Sequence, residues 1–423
     1  MKKIILLFII FYCSVLTANA QWILQSTHGD LLLPSIKFFN ENTGNIFGYN
    51  DGFGNKGCFL RTTNGGAIWD SMPLPPEMLN NYLYHQSFID INTGYVCGHT
   101  NMIFKTIDGG NNWSYSLAPY STSGNQTYST IQFFNELTGY IGGRYGFRAK
   151  TTNGGNNWIT LDTAYAQIIS MHFLDINYGF MGDTWSDIYK TTDGGLTWNY
   201  SYLIDSLSHE YAYNGIKFIN YNTGYAIGSD NVNGVLFKTT NGGNNWKNIL
   251  IYQNNSFSSL FVVDSLIIYI GCEFNLILKS TNGGNDWTNQ NFPNFTNFLV
   301  TYFLNSNTGY ATSWGGIYKT TNGGVFVNNI SSEIPSEYKL YQNYPNPFNP
   351  STNIKYQITN NKFIILKVFD MLGKEIATLV NEKQSPGTYE VNFDGSNLST
   401  GIYFYRLSVD GNIIDTKKLV LLK

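Results

Sequence analysis

The sequence predicts an all-β protein with two parts, a large ring of repeated small sheets followed by a small β-sandwich. Aromatic residues make up 16% of the 423 residues, and charged residues make up only 13%. Aromatic and β-branched side chains favour strands, whereas surface helices need charged, straight-chain residues that are scarce here. A short motif recurs through most of the chain, and the pattern changes after its last copy. These observations argue against a mainly helical or a disordered chain.

The repeated motif, which we call the box, is a basic residue, Thr or Ser, any residue, Asn or Asp, and two glycines. Asn and Asp bond their own backbone and glycine accepts positive φ, so each box predicts a tight turn between two strands. Seven copies start 40 to 48 residues apart, at Arg61, Lys105, Lys150, Lys190, Lys238, Lys279 and Lys319. In six copies a tryptophan stands three residues after the second glycine, at Trp69, Trp113, Trp158, Trp198, Trp246 and Trp287.

Each repeat holds about four short apolar runs, and most repeats carry a Thr-Gly-Tyr turn before the box, as at 93–95 and 223–225. Four strands in about 40 to 45 residues is the size of one β-propeller blade. The seventh box lacks a tryptophan, but the expected mature chain opens with Trp22. We therefore predict a seven-bladed β-propeller over residues 21–328, closed by an N-terminal strand that completes the last blade. Such closure removes two exposed sheet edges.

The repeats resemble the Asp-box (BNR) repeats of sialidase-like propellers, because Thr191, Asp193, Gly195, Thr197 and Trp198 fit that pattern. The whole unit, with its Thr-Gly-Tyr turn and its box, is more similar to the photosystem II stability/assembly factor-like propellers. This resemblance covers the whole predicted propeller and implies its fold, but such propellers host unrelated activities. Five boxes depart from the Asp-box pattern by carrying Asn, at Asn64, Asn153, Asn241, Asn282 and Asn322.

The pattern changes after the last box. Following an expected linker at 329–337, residues 338–423 contain six or seven short alternating runs separated by turn residues, which predicts a small Ig-like β-sandwich. This segment resembles the type A C-terminal sorting domain of the type IX (Por) secretion system, which implies that the secretion machinery is a partner. The residues that carry the resemblance are Tyr344–Phe348, Phe369–Gly373, Leu398–Tyr403 and Lys417–Leu421.

The N-terminus predicts export. Residues 1–20 have two lysines, an apolar run over 4–16, and the small residues Ala18 and Ala20 before a cleavage site, which is typical of a signal peptide. We expect the mature chain to begin at Gln21 and to contain no transmembrane segment, because no later apolar run is long enough to span a bilayer. With the sorting domain, this predicts an extracellular or outer-membrane surface location.

Composition and spacing weigh against several function classes. The formal net charge is −3, so no basic field favours nucleic acid as a partner. The five histidines stand at least 14 residues apart, so no local metal motif exists, and no cofactor is expected. The segment 52–57 matches a dinucleotide fingerprint by letter, but a strand follows it where the fingerprint needs a helix. An odd number of cysteines in the mature chain gives no disulfide framework, although a Cys58–Cys97 bridge stays open.

Three functions remain open. The first is a non-catalytic propeller that binds a surface protein or a glycan, and the second is a glycoside hydrolase with a pair of carboxylates. The third is a structural surface-layer component with no soluble ligand. We expect the ligand face to be formed by the loops between second and third strands and by the loops that join one blade to the next, because loops carry function on rigid scaffolds. The ligand-binding candidates there are His99, Arg144, Tyr145, Trp185 and Trp314. The candidates for the catalytic alternative are Asp183, Asp187, Asp230 and Glu273.

Overall fold

The computed structural model describes residues 22–50, 56–118, 127–161, 166–204, 211–230, 232–274, 276–291, 300–325 and 327–423. The expected signal peptide at 1–20 lies outside these described residues. The chain divides into two compact units, one spanning residues 21–324 and the other containing Val325–Lys423. The described residues are almost entirely strands and turns, as the all-β prediction requires.

Successive strands of the first unit form antiparallel meanders, which we number as sheets along the chain. Sheet 1 contains Leu31–Phe38, Gly44–Asn50, Lys56–Thr62 and Asp70–Ser71. Sheet 2 contains Leu83–Phe88, Gly94–Gly98, Met102–Thr106 and Ser114–Leu117. Sheet 3 contains Tyr128–Phe133, Gly139–Gly143, Arg148–Thr151 and Ile159–Thr160. Sheet 4 contains Ile168–Phe173, Gly179–Asp183, Ile188–Thr191 and Asn199–Tyr200.

The remaining sheets of this unit continue the series. Sheet 5 contains Ala212–Phe218, Gly224–Ser229, Gly234–Thr239 and Asn245–Tyr252, with Tyr202–Ile204 added in parallel to the last of these. Sheet 6 contains Phe257–Val262, Ile268–Cys272, Leu276–Ser280 and Thr288–Asn291. Sheet 7 contains Val300–Phe303, Gly309–Thr312, Gly316–Thr320 and the N-terminal strand Ile23–Thr27. One short helix, Pro76–Leu79, and one 3-10 turn, Arg144–Gly146, complete the described elements of the unit.

The N-terminal strand closes the series, as the sequence predicts. Ile23–Thr27 pairs antiparallel with Gly316–Thr320, and Trp22 is fully buried beside it. The Trp22 ring lies edge-on to Phe303, with centroids 5.7 Å apart, and its Nε1–H donates to Gln290 Oε1 at 3.2 Å. Trp22 therefore takes the place of the tryptophan that the seventh box lacks.

Each box forms the turn between the third and fourth strands through its own side chains. In sheet 4, Asp193 Oδ1 accepts from the Thr197 N–H at 3.0 Å, and Thr191 Oγ1 accepts from the Gly195 N–H at 2.8 Å. Both box glycines have positive φ, which a Cβ would strain. Asn153 Oδ1 accepts the equivalent bond from the Asn157 N–H at 2.9 Å. The turn therefore requires a side-chain oxygen at this position and not a negative charge. Asn can therefore replace Asp in five boxes.

Adjacent sheets are joined by a recurring hydrogen-bonded contact, which we call the staple. The carbonyl of the first box glycine accepts from a tyrosine hydroxyl and a lysine of the preceding sheet. Tyr140 donates to Gly194 O at 2.9 Å, and Lys150 Nζ donates to the same oxygen at 3.2 Å. The tyrosines that donate in this way are Tyr95, Tyr140, Tyr178, Tyr225, Tyr269 and Tyr310.

Two junctions use substitutes that keep the staple. Phe180 has no hydroxyl, and the hydroxyl of Tyr178 donates to Gly242 O at 2.9 Å in its place. Between sheets 1 and 2, Arg61 donates to the carbonyl of Gly109. Asn45 orients this guanidinium by accepting from its Nε–H at 3.1 Å.

Aromatic rings pack behind the staples. Phe133 of sheet 3 stacks on Tyr95 of sheet 2 with centroids 3.4 Å apart, and Trp158 of its own sheet lies edge-on to it at 5.8 Å. The same arrangement joins the last sheet to the first, where Phe38 stacks on Tyr310 at 3.8 Å and meets Trp69 edge-on at 5.7 Å. Sheet 7 therefore contacts sheet 1, and the series forms a closed ring.

The second unit has two four-stranded sheets around one core. Sheet 8 contains Val327–Ser331, Gly387–Asp394, Ser351–Ile358 and Lys339–Leu340. Sheet 9 contains Glu375–Gln384, Lys362–Phe369, Gly401–Val409 and Asn412–Leu421. Buried side chains from both sheets, including Tyr356 and Leu366, form one apolar cluster. Because Val327–Ser331 pairs with Gly387–Asp394, the expected linker at 329–337 begins within a strand of this unit.

We expect Tyr140→Phe to lower the free energy of unfolding by about 1 kcal/mol, because it removes the single hydroxyl proton that Ile176 O and the buried Gly194 O share. Urea unfolding of the mature chain, followed by tryptophan fluorescence, measures this change. Tyr115→Phe is the matched control, since Tyr115 is half-exposed and contributes a ring contact. Equal effects of the two substitutions would contradict a stabilising role for the staple.

Candidate ligand-binding face

The turns between second and third strands lie at one end of the ring, and the box turns lie at the opposite end, because the strands of each sheet alternate in direction. We call the first of these ends the loop face. All nine candidate residues belong to these turns or end the strand before them. They come from six sheets, as His99, Arg144, Tyr145, Asp183, Trp185, Asp187, Asp230, Glu273 and Trp314.

A cavity of about 970 Å³ is lined by the first strands of all seven sheets. These inner strands surround the axis of the ring, so we call the cavity the channel. His99, Arg144 and Glu273 also line it, and each immediately follows a second strand. The structure thus brings three of the nine candidates together at the loop-face mouth of the channel.

Large apolar side chains project from the same turns. Trp185 is 65% exposed, Trp314 45% and Tyr145 48%. The Arg144 guanidinium lies 5.7 Å from the centroid of the Tyr145 ring, which places this tyrosine beside the channel mouth. Exposed aromatic rings at a cavity mouth are suited to stacking on a ligand.

Phe274 belongs to this set but was missed by the sequence reasoning. It follows Glu273 in the turn of sheet 6, is 63% exposed and has φ of 54°. From the sequence alone, a phenylalanine next to an apolar strand is interpreted as a core residue. Its place in the turn after Cys272, equivalent to that of Tyr145 after Gly143, is the signal that could have found it.

Asp183 supports its own turn and has no exposed surface. Its Oδ1 accepts from the Trp185 N–H at 2.8 Å and the Asp187 N–H at 2.9 Å, and its Oδ2 accepts from the Tyr189 hydroxyl at 3.1 Å. A carboxylate enclosed in this way does not reach a substrate. The catalytic alternative therefore loses one of the two residues that lie closest together among its four candidates.

Asp187 lies beside Asp183 and contacts the same hydroxyl, with Tyr189 Oη 3.3 Å from Asp187 Oδ2. Burial and the neighbouring Asp183 charge raise the pKa of the Asp187 carboxyl above its ordinary value. The buried Arg148 guanidinium lies 4.0 Å from the Tyr189 ring centroid, and its charge partly opposes this rise in the Asp187 pKa. Two carboxylates, a tyrosine and an arginine thus form a compact cluster under the turn of sheet 4.

The two remaining carboxylates lie on other sheets and differ in role. Asp230 Oδ1 accepts from the backbone N–H groups of Val232 at 3.0 Å and Asn233 at 2.6 Å, so it closes the turn of sheet 5. Glu273 lines the channel mouth on sheet 6. The structure therefore does not gather the four acidic candidates at one point.

The channel wall contains basic residues that the sequence reasoning did not select. Lys37, His85, His172 and Lys217 all line it, from inner strands of sheets 1, 2, 4 and 5. Burial lowers the pKa of His85 to about 4 and that of His172 to about 3, with the Lys217 charge adding to both effects. Both imidazoles are therefore neutral at pH 7. A lysine inside an apolar strand, as in Ile216-Lys217-Phe218, is the sequence signal that was available.

Two family models match the chain. Residues 68–166 and 159–256 match the photosynthesis system II assembly factor YCF48, and residues 342–422 match the secretion system C-terminal sorting domain. The chain joins YCF48-type repeats to a secretion sorting domain. Both resemblances inferred from the sequence are thereby confirmed. No curated protein sequence matches the chain significantly.

Solved structures share the fold at low sequence identity. YCF48 bound to a D1 peptide is 16% identical with a TM-score of 0.59, over 72% of this chain and 99% of that one. YCF48 from Cyanidioschyzon merolae is 16% identical with a TM-score of 0.55, over 71% and 98%. PorZ, a surface component of the type-IX secretion system of Porphyromonas gingivalis, is 12% identical with a TM-score of 0.53. It covers 91% of this chain, which spans 59% of PorZ. These likenesses show an all-β propeller fold.

Within the described ranges, no group of three or more His, Cys, Asp or Glu side chains is placed to hold a metal ion. Cys58, Cys97 and Cys272 are free thiols, and burial raises the pKa of Cys58 to about 12. No described helix is long and apolar enough to cross a lipid bilayer.

We expect Asp187→Asn to raise the melting temperature at pH 7. Because the folded carboxyl has a raised pKa, the folded protein holds more protons than the unfolded chain just above pH 3.8, and stability falls as pH rises through this window. Thermal unfolding between pH 3 and pH 7 checks this, and the advantage of the variant should shrink toward the acid end. Asp70→Asn, which removes an exposed carboxylate, is the control. A lower melting temperature for Asp187→Asn at pH 7 would contradict the raised pKa.

Proposed function

We propose that the protein is a secreted, non-catalytic seven-bladed β-propeller that binds a protein or glycan ligand at its loop face and is exported by the type IX secretion system. The propeller predicted over residues 21–328 would be the unit over 21–324, each of its seven sheets being one blade, because Val327–Ser331 belongs to sheet 8. The closed ring of staples and the pairing of Ile23–Thr27 with Gly316–Thr320 support this assignment. The C-terminal unit would be the Ig-like sorting domain, since its two sheets share one core.

The observation that carries ligand binding is the set of exposed aromatic side chains at the loop face. Trp185, Trp314, Tyr145 and Phe274 leave large apolar surfaces in solvent. Exposed aromatic surface beside a cavity is typical of an interaction site. Arg144 and His99 add polar groups at the channel mouth. One solved propeller of this fold carries a bound peptide, which supports the ligand class.

The glycoside hydrolase alternative finds less support. Two carboxyls must face the substrate, one as acid and one as base or nucleophile. Asp183 is enclosed, and Asp230 is bonded to its own turn. Asp187 and Glu273 stand on different sheets, so the alternative would require a ligand that reaches from sheet 4 to sheet 6.

Ligand binding at the loop face can be measured together with catalysis. On arrayed polysaccharides and surface glycoproteins, we expect the mature chain to bind without releasing reducing sugar. Trp185→Ala and Trp314→Ala should each weaken binding by about tenfold, as loss of a stacked aromatic ring does. Ile107→Ala is the matched control, because Ile107 is a similarly exposed apolar residue in a box turn at the opposite end. Sugar release that Asp187→Asn or Glu273→Gln abolishes would make the protein an enzyme, and unchanged binding by both tryptophan variants would refute the site.

Export in this proposal depends on the C-terminal sorting domain. Deleting residues 338–423 should leave the protein in the periplasm, because the sorting domain would be missing. Cell fractionation and surface labelling measure this. The gain-of-function control fuses Val325–Lys423 to a periplasmic reporter, a boundary chosen because Val327–Ser331 completes sheet 8. Normal surface delivery of the truncated chain, or retention of the fused reporter, would contradict the export route.

A further inference from the structure

In sheets 1 to 5, the residue before the last phenylalanine of the inner strand lines the channel. These residues are Lys37, Ser87, Gln132, His172 and Lys217. Inner strands run from the loop face toward the box end, so this layer, which we call the deep layer, lies near the box end of the channel, away from the aromatic side chains of the loop face. Its chemistry is therefore independent of the loop-face site.

Lys37 and Lys217 occupy equivalent positions of this layer, each one residue before the phenylalanine that pairs with a strand glycine, and both line the channel. Burial lowers the pKa of Lys217, and the charge of Lys37 lowers it further. Burial also lowers the pKa of Lys37, whose Nζ lies 5.9 Å from the Tyr302 ring centroid. The Lys217 charge also acts on His85 and His172, so Lys217 is the group at which these interactions converge.

No counter-charge balances the two lysines within the described part of the chain. The four ion pairs there all belong to the C-terminal unit. Glu273, at the loop-face mouth, is the one carboxylate among the described residues that line the channel. Enclosing like charges without a partner is costly, and ionisable groups perturbed in this way cluster at functional sites.

We infer that the deep layer of the channel is an anion-binding site, in which Lys37 and Lys217 hold one carboxylate or phosphate group between them. The ammonium groups supply charge-assisted hydrogen bonds, which are the strong ones. The neutral imidazole of His172 adds a polar group in the same layer, and that of His85 lies two residues nearer the loop face on its strand. The cavity of about 970 Å³ exceeds the size of a single small anion, so the bound group can belong to a longer ligand.

This inference goes beyond the proposed function and is tested with small anions. Isothermal titration at pH 7 in a chloride buffer of constant ionic strength measures inorganic phosphate and malonate binding to the mature chain, 21–423. We expect one site per chain, and about tenfold weaker binding by Lys217→Met and by Lys37→Met. Lys247→Met is the matched control, because Lys247 is exposed on the outer strand of the same sheet. Lys217→Arg, which retains the charge, should retain binding.

Thermal unfolding separates loss of the site from loss of the fold. Without anion, Lys217→Met should melt no lower than the wild type, because it removes an unbalanced charge; phosphate or malonate should then stabilise the wild type and not the variant. If only malonate binds saturably, the ligand group is a carboxylate. If only phosphate binds saturably, the ligand group is a phosphate. No saturable binding of either anion, or equal binding by Lys217→Met and the wild type, would overturn the inference. Trp185→Ala should bind these anions as the wild type does, so failure of the loop-face site is told apart from failure of this one.

Discussion

The ring depends on one carbonyl oxygen in each repeat. The two box glycines turn the chain so that the first of them presents its C=O to the preceding sheet, where a tyrosine hydroxyl and a lysine donate to it. A buried carbonyl without a donor would be costly, so each junction has a donor, even where the usual residue is absent. Tyr178 replaces the hydroxyl that Phe180 lacks, and Arg61 with Asn45 replaces the pair between sheets 1 and 2. These junctions therefore keep the hydrogen bond to the glycine carbonyl although different residues donate it.

Closure of the ring separates two environments with different chemistry. The box turns, the staple donors, and the tryptophan and phenylalanine that pack on each other recur from sheet to sheet. The channel-facing positions of the inner strands and the loop face carry the residues that differ, such as Lys37, His172 and Lys217. Residues that hold the sheets together must repeat, because every junction has the same geometry. Residues that face the channel are free of that requirement, so function is most readily placed there.

The loop-face candidates show how far a turn position can be interpreted from sequence. Their location in the turns after second strands could be predicted, because a four-stranded repeat with a known box fixes which connection each residue occupies. Whether a side chain in such a turn is exposed could not. Asp183 and Trp185 are two residues apart, yet the first is enclosed by three donors and the second is mostly in solvent. The sequence does not distinguish a carboxylate that binds a ligand from one that accepts hydrogen bonds from its own backbone.

The sequence alone determined the all-β class, the register of the repeats, the partner of the N-terminal strand and the sorting domain. Each of these depends on local turn chemistry or on a motif that recurs at a fixed spacing, so the signal lies within short stretches of chain. Tertiary structure decided what the channel contains. Lys37 and Lys217 are 180 residues apart in sequence, and both line the channel because closure of the ring brings their inner strands around one axis. Which charged residues share the channel depends on how the ring closes, and the spacing of residues along the chain does not show it.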